Sequence, residues 1–340
     1  MHELINTEKS YKQGVSIIIC FYNAGERIVN TLKYIQAQRN RKNENTELIL
    51  VNNASTDGSE AIIQQELEGF DVFSWKIVHE SKPGLANARI CGLKHVSYDL
   101  IVYCDDDNWL SEVYLSQAEE IMRNDTEVGI LGGKGSAISS IELPDWFESV
   151  QGYYAVGPQM PKSGRVIGER NVVYGAGMVI RTKVMIDLFK RGFCFQSLGR
   201  TGSSLSAGED SELCLAVQIM GWKIIYEETL QFEHFITANR LTQEYFHRMQ
   251  NGMDKSGFYV KFYRDYFFGK SLQVVPSNFW LKEFVYSIFF LLKSSFKSKN
   301  DFYRILFLAK ERSKYDANIK QILAVCSKLN EFKILTDEKR

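Results

Sequence analysis

The residues best suited to chemistry in this sequence are three consecutive aspartates. Asp105, Asp106 and Asp107 directly follow an apolar run, in the segment YCDDDNW. Two like charges ~4 Å apart repel by ~1 kcal/mol in water and by several times more inside a protein. Alternate side chains of an extended segment share a face, so Asp105 and Asp107 can converge while Asp106 points elsewhere. The triplet predicts either a solvated acidic turn or a site for Mg²⁺ or Mn²⁺ completed by water and phosphate oxygens.

Two further polar segments follow apolar runs and are candidates for nucleotide binding. The segment VNNASTDGS (51–59) contains Asn53 and Asp57, and an amide can read a nucleobase because it offers both a donor and an acceptor. The alternative is an ordinary turn, in which Asn, Ser, Asp and Gly are common. The segment SKPGLANARICG (81–92) contains Arg89, whose guanidinium can hold a phosphate or form a surface ion pair.

Asp210 is the candidate general base. It lies in the first turn of a predicted helix at 209–220, where the helix dipole alone also favours acidic residues. The preceding loop, 197–208, has Gly or Ser at seven of twelve positions, which predicts a mobile lid over the site. His234 follows the last predicted strand and is either a structural histidine or a third metal ligand.

Four strand–helix units before residue 130 would position these side chains. Continuous apolar runs predict strands at residues 15–20, 47–52, 75–80 and 99–104. Apolar residues at helical spacing follow each strand, so we expect an α/β fold with helices on both faces of a parallel sheet. Right-handed crossovers place the carboxyl ends of the strands at one edge, where such sheets bind ligands. Later strands are predicted at 172–180 and 222–228.

Composition narrows the class of protein. Apolar residues make up 45% and charged residues 24%, which is typical of a globular chain. Lys plus Arg equals Asp plus Glu at 41 each, so no net charge attracts nucleic acid. The six cysteines form no C-x-x-C pair, which predicts free thiols in a reducing compartment. The polar start lacks the apolar core of a secretion signal, and no run is long enough to span a bilayer. We therefore expect a cytoplasmic protein.

The amino-acid composition of the C-terminal region differs from that of the preceding chain. Residues 258–268 contain seven aromatic side chains, and residues 282–314 carry eight Lys or Arg against three acids among apolar stretches. This pattern predicts amphipathic helices that either associate with the inner face of a membrane through 270–314 or pack on the catalytic domain.

Six segments in this order resemble glycosyltransferase family 2, whose members have the GT-A fold. They span roughly residues 14–240 and read IIICFYNAGE, LILVNNASTDGS, ESKPGLANARICGL, VYCDDDNWL, YGAGMVIRT and GEDSELCLAVQIMGWKIIY. The C-terminal helical extension carries no family motif and is predicted from its aromatic and basic composition. The resemblance implies a Rossmann-like, doubly wound, mostly parallel sheet before it. It divides the chain into a polar lead (1–13), a catalytic domain (14–250, with the nucleotide-binding half at 14–130 and the acceptor half at 131–250) and the extension (251–340).

The resemblance also implies an activity. Family members move a sugar, with inversion, from a nucleotide diphosphate donor to a hydroxyl group, usually with Mg²⁺ or Mn²⁺. A glycan or lipid-linked glycan in bacterial surface polysaccharide assembly is the implied acceptor. Asp210 would be the base, and Asp107 would hold the metal with Asp105 and His234. The residues implied at the donor site are Phe21, Asn23, Asn53, Asp57, Arg89, Asp105, Asp106, Glu209 and, on the closing loop, Arg200.

One departure from the family pattern concerns the nucleobase. Many members have two aspartates where this chain has Asn52 and Asn53. The resemblance still favours UDP, but because of this departure dTDP and GDP stay open. Two other functions are alternatives. A sugar-nucleotide pyrophosphorylase would carry a Gly-rich basic loop after the first strand, where this chain has FYNAGER with one glycine. A binding protein without catalysis would not need Asp105, Asp107 and Asp210 together.

Overall fold

The computed structural model describes residues 9–39, 45–167, 171–202, 205–269 and 320–331, and within them nine strands form one sheet. The strands are β1 (Lys12–Phe21), β2 (Thr46–Asn52), β3 (Ser74–His79), β4 (Tyr98–Asp105), β5 (Asn108–Leu110), β6 (Val128–Ile138), β7 (Gly164–Arg165), β8 (Val179–Arg181) and β9 (Lys223–Phe235). The α-helices are α1 (Arg27–Gln36), α2 (Ser59–Glu66), α3 (Leu85–Leu93), α4 (Tyr114–Asn124), α5 (Phe147–Val150), α6 (Thr182–Lys190), α7 (Glu209–Ile219) and α8 (Gln243–Phe267). Short 3₁₀ helices lie at Gln151–Tyr154 and Ala238–Arg240.

The sheet order is β3-β2-β1-β4-β8-β6-β9-β5, with β7 paired to β9. The first four strands are parallel to one another, whereas β8 runs antiparallel between β4 and β6. The chain reverses its direction of winding after β3, because β4 returns to the other side of β1. The predicted α/β class and the four strand–helix units are confirmed.

Strand β1 shows why these segments become buried strands. Its β-branched side chains alternate between two cores: Ile17 and Ile19 pack with Ile28 of α1, whereas Ile18 packs with Ala88 of α3. All five of these side chains are fully buried. A central parallel strand is covered by helices on both faces and therefore needs an apolar run rather than alternation.

Two predicted strands differ from the observed ones. The prediction at 172–180 is wrong for residues 172–178, which form an irregular turn, and β8 begins only at Val179. Gly177 lies in this turn at φ +68°, a conformation that favours glycine, and its carbonyl accepts a hydrogen bond from Tyr114. The strand predicted at 222–228 extends to Phe235 because it pairs with β6 along most of its length.

The C-terminal region packs on the core where the structure describes it. Helix α8 runs unbroken across the predicted domain boundary at 250/251. A helical segment at 320–331 buries Ile322, Val325, Cys326 and Leu329 in the same core cluster as Tyr263 of α8. The predicted membrane segment, 270–314, lies outside the described residues. Among the helices that are described, none has the length and apolar character needed to cross a bilayer. All six cysteines are free thiols, as predicted.

Candidate active site

A cavity of about 610 Å³ opens at the carboxyl ends of β1, β2 and β4. It collects most of the predicted site residues. Those that line it are Phe21, Asn53, Arg89, Asp105, Asp106, Asp107, Arg200, Glu209, Asp210 and His234. Asn23 and Asp57 do not line it: Asn23 accepts a hydrogen bond from Thr56 N at 2.8 Å, and Asp57 accepts one from Ser59 N at 3.0 Å. These two side chains shape the turn after β2 and the start of α2.

The three aspartates separate as the alternation predicts. Asp106 points away from its neighbours and pairs with Arg27, whose Nε and Nη2 lie 3.2 and 2.7 Å from its carboxylate oxygens. Burial raises the pKa of Asp106 to about 6, although Arg27 opposes the shift. Thr31 donates a hydrogen bond to its carbonyl oxygen at 3.0 Å. Asp106 therefore ties the acidic turn to α1.

Asp107 and His234 are brought together by strand pairing. Asn108 of β5 pairs with His234 of β9, which sets His234 Nε2 3.5 Å from Asp107 Oδ2. Arg240 Nη1 donates to the same oxygen at 2.8 Å. Burial would raise the pKa of Asp107, but facing His234 and Arg240 outweighs it and holds that pKa well below its usual range. This carboxylate is therefore charged at neutral pH.

The pair Asp107 and His234 fits a divalent cation as two of its ligands. The Tyr154 carbonyl can only accept, so the 2.6 Å bond to His234 Nδ1 fixes a proton there. A histidine whose Nδ1–H is held by a backbone carbonyl directs its Nε2 atom outward, here toward Asp107, and Nε2 is the atom through which such a histidine binds a metal ion. Within the described ranges, no three His, Cys, Asp or Glu side chains are grouped closely enough to hold a metal ion. The predicted set with Asp105 is therefore not assembled, and the metal site stays a prediction.

Arg89 lines the cavity with a guanidinium that is buried rather than on a surface. Its side chain is 2% exposed, and its guanidinium stacks 4.9 Å from the ring centre of Tyr103. The nearest carboxylate oxygens belong to Asp105, 4.0 Å from Nη2, and to Glu209, 3.8 Å from Nη1. These contacts make Arg89 a charged brace between the acidic turn and the start of α7, so the surface ion pair is wrong, and the phosphate contact stays a prediction.

Asp210 is oriented by two backbone N–H groups. Its Oδ2 accepts from Gly175 N at 3.0 Å, and its Oδ1 accepts from Ser211 N at 2.7 Å. A Cβ atom at position 175 would lie 2.7 Å from Arg89 Nη2 and 3.2 Å from Asp210 Cβ, so this approach requires glycine. Burial and the neighbouring Asp210 raise the pKa of Glu209 to about 7.

The Gly/Ser loop, in its described parts 197–202 and 205–208, is tied down at its first end. Glu212 accepts from Gln196 N at 2.8 Å and from Ser197 N at 2.7 Å. The carbonyl of Leu198 then accepts from Ala86 N at the start of α3. No strand or helix forms in this loop, in agreement with its composition. Its mobility stays a prediction.

Asn53 braces a loop instead of facing outward with free hydrogen-bonding groups. Its Nδ2 donates to the carbonyls of Glu80 and Lys82 at 3.1 and 2.8 Å, and its Oδ1 accepts from Gly84 N at 2.8 Å. Asn52 is likewise paired, with Glu60. Both N–H groups of the Asn53 amide are engaged by these carbonyls, so a contact of Asn53 with a nucleobase stays a prediction.

Two functional residues were not found by sequence reasoning. Arg240 is nine-tenths buried, and nothing in the segment HFITANR distinguishes it from a surface arginine. Gly175 belongs to YGAGMVIRT, which suggested a strand and carried part of the family resemblance but gave this glycine no role. The spatial neighbourhood that gives each its role depends on residues far away in sequence.

The comparisons with known proteins agree with this architecture. The model of the family described as Glycosyl transferase family 2 matches residues 16–189, about half of the chain. The chain is 23% identical over 176 residues to poly-β-1,6-N-acetyl-D-glucosamine synthase of Staphylococcus aureus, covering 52% of this chain and 41% of the synthase. It is 28% identical over 117 residues to EpsH of Bacillus subtilis, covering 34% of this chain and 33% of EpsH. The matches thus span well under half the length of these relatives.

Solved structures show the same fold over nearly the whole chain. The crystal structure of S. aureus TarS 1–349 has a TM-score of 0.52 at 14% identity, covering 96% of this chain and 92% of that one. The same TarS fragment in complex with UDP-GlcNAc has a TM-score of 0.52 at 13% identity, covering 96% and 93%.

Proposed function

Because the chain belongs to glycosyltransferase family 2, we propose that it transfers a sugar, with inversion, from a UDP-sugar to a hydroxyl group of a glycan or lipid-linked glycan. The observation that carries the proposal is one cavity lined by both Asp107, a charged residue of the acidic turn, and Asp210, an oriented carboxylate at the start of α7. Relatives in polysaccharide synthesis and the UDP-GlcNAc complex of TarS support the donor class and the biosynthetic setting.

Asp210 acts as the general base. It removes the proton of the acceptor hydroxyl while that oxygen attacks the anomeric carbon from the side opposite the diphosphate. The new C–O bond forms as the bond to the phosphate oxygen breaks, and the nucleoside diphosphate leaves with the electron pair. Attack from the opposite side by a single acceptor inverts the anomeric configuration. General-base help of this kind contributes ~10²–10⁴-fold to the rate.

Positioning is the larger contribution of the protein. The N–H groups of Gly175 and Ser211 fix the Asp210 carboxylate, and the Ser211 hydroxyl also donates to Oδ1 at 3.4 Å, so Oδ2 is the oxygen that retains a lone pair for the acceptor. Holding two reactants in line can lower the barrier by ~7–11 kcal/mol. Arg200, on the Gly/Ser loop that lines the cavity, would close over the donor and exclude water that hydrolyses it.

Mg²⁺ or Mn²⁺ is the proposed cofactor, held by Asp107 and His234 together with oxygens of the donor. When bound, the ion supplies positive charge next to the diphosphate. Arg240, which already neutralises Asp107, stays beside it as a fixed cation.

Two variants test the proposal against a matched control. Asp210→Asn should bind UDP as the wild type does but lose sugar transfer by at least 100-fold, because an amide cannot take the proton. Asp107→Ala should lose the Mn²⁺-dependent part of UDP affinity in calorimetry. Asp187→Asn, on α6 and outside the cavity, should change neither.

The results also separate the alternatives. Transfer by Asp210→Asn at a near wild-type rate would show that another group is the base. UDP-sugar binding without transfer or donor hydrolysis in the wild type would indicate a binding protein. Formation of a nucleoside triphosphate from UDP-sugar and pyrophosphate would indicate a pyrophosphorylase.

The cellular setting is a separate proposal. We propose that the protein works at the cytoplasmic face of a bacterial inner membrane and that residues 270–314 associate with it. The full chain should sediment with vesicles that contain anionic lipid, and a full-length variant with Lys293, Lys297 and Lys299 replaced by Glu should stay in solution. Equal sedimentation of both would refute the role of this segment.

A further inference from the structure

Helix α8 forms one wall of the cavity, although it lies beyond the part of the chain that the family model matches. Met253, Gly257, Val260 and Arg264 line the cavity and recur at spacings of four, three and four residues. That spacing places them on one face of the helix. At 1.5 Å per residue the stripe is ~16 Å long. We call this stripe the α8 groove.

Arg264 stands at one end of the groove without a partner among the described residues. Its Nε is buried and makes no hydrogen bond, and no described carboxylate pairs with its guanidinium. The neighbouring Asp265 is engaged by Lys261 at 2.6 Å instead. A buried donor left unpaired costs ~1–3 kcal/mol, and a guanidinium fork matches the paired oxygens of a phosphate or carboxylate.

The groove is fixed relative to the base. A Cβ atom on Gly252 of α8 would lie 2.5 Å from the carbonyl oxygen of Leu205, so the helix and the loop leading to Asp210 are in direct backbone contact. Helix α8 also packs on α7, which carries Asp210. The nucleotide-side residues Phe21 and Asn53 come from the ends of β1 and β2. If the donor occupies the side of the cavity at β1 and β2, the acceptor must approach Asp210 from a different side. The wall formed by α8 is such a side.

We propose that the α8 groove binds the acceptor and that Arg264 binds an oxyanion carried by it. The acceptor is accordingly an anionic saccharide, bearing a phosphate or a carboxylate group at some distance from the reacting hydroxyl. The apolar Met253 and Val260 contact the sugar rings or linker between these two points. This inference rests on the proposed transferase function, since it assigns the second substrate of that reaction.

The test uses three probes with the same pyranose ring: glucose, glucose 6-phosphate and glucuronate. Dissociation constants are measured by ligand-observed NMR on the full chain, with saturating UDP and Mg²⁺ filling the donor site. The wild type should bind one or both anionic sugars at least 10-fold more tightly than glucose. Arg264→Gln should abolish this preference, and Arg264→Lys should retain part of it. Lys261→Gln removes a charge from the same helix at a position outside the cavity and should leave the preference intact.

Each outcome decides between the claims. Preference for glucose 6-phosphate alone identifies a phosphate acceptor, and preference for glucuronate alone identifies a carboxylate acceptor. Equal binding of all three probes by the wild type, or an equal loss in Lys261→Gln, would overturn the assignment of Arg264. Unchanged UDP affinity in Arg264→Gln verifies that the donor site is intact. Failure of UDP to bind to any form of the chain would instead count against the transferase proposal itself.

Discussion

Glu212 gives a prediction whose size follows from the structure. Its side chain is fully buried on α7, and its carboxylate accepts the N–H groups of Gln196 and Ser197. Burial raises the pKa of Glu212 to about 8, against 4.5 for an ordinary glutamate, although the two N–H groups oppose the shift. Between pH 4.5 and pH 8, the folded protein holds a proton at Glu212 that the unfolded chain releases.

The sign of the effect on stability follows from this difference. A group whose pKa is higher in the folded state stabilises the fold below its unfolded pKa, and the stabilisation is lost as pH rises through the folded pKa. One such proton changes the free energy of unfolding by about 1.4 kcal/mol for each pH unit. Over the whole window the loss amounts to several kcal/mol. Glu209, with a pKa raised to about 7, adds a second contribution over the lower part of the window.

Urea unfolding of the wild type and of Glu212→Gln at pH 5, 6, 7 and 8 measures this effect. The wild type should lose stability with rising pH, and the variant should show a slope smaller by one proton while keeping the residual slope of Glu209. Glu68→Gln, an exposed substitution, should reproduce the wild-type slope. Identical pH slopes for the wild type and Glu212→Gln would refute the reasoning, because they would mean that Glu212 ionises alike in both states.

Three other substitutions test the site. Gly175→Ala should lower kcat at least 10-fold with UDP affinity unchanged, because the new methyl group would displace Arg89 and Asp210; steady-state kinetics and calorimetry measure the two quantities, and an unchanged kcat would contradict the positioning role. Asn53→Asp should destabilise the fold by ~1–3 kcal/mol, since a carboxylate would face two carbonyl oxygens, and a Tm equal to that of the wild type would exclude the brace. Arg89→Met should raise the pKa of Glu209 further, because Arg89 holds that pKa down, so the loss of stability due to Glu209 should occur at higher pH; urea unfolding at pH 5, 6, 7 and 8 measures it, and an unchanged pH dependence would count against this coupling.

The strands of residues 14–130 were predictable because a strand that is buried on both faces requires a continuous run of apolar residues. The run VSIIIC has no polar position beyond Ser16, which is itself fully buried and hydrogen-bonded to Glu47. The turn at 172–178 was mistaken for part of a strand because its Val, Tyr and Met side chains suit either structure. What decides against a strand is Gly177 in a left-handed conformation, and a glycine in sequence does not reveal its φ angle.

The candidate residues of the site were visible in the sequence, whereas the contacts that surround them were not. Asp107, after β4, and Asp210, at the start of α7, both line the cavity as expected from the sequence. The partner of Asp107, however, is Arg240, which lies 133 positions away, and the pairing exists only because β5 and β9 are neighbours. Arg89 similarly has a side chain that often binds phosphate. Its burial depends on the backbone of Gly175, which passes so close that a Cβ atom there would lie 2.7 Å from Arg89 Nη2. Long-range proximity of this kind has no local signal.

The unbroken course of α8 determines where this chain can be recombined with another transferase. A junction at residue 250 would join two half-helices and separate Gly252 from the backbone of Leu205 that it touches. A junction ahead of Thr242 would instead carry the whole helix together with its own N-terminal cap, because the Thr242 hydroxyl accepts from Tyr245 N at 3.2 Å. Exchange of acceptor preference between relatives then requires moving residues 242–267 and the two loop residues at 205–206 as one piece.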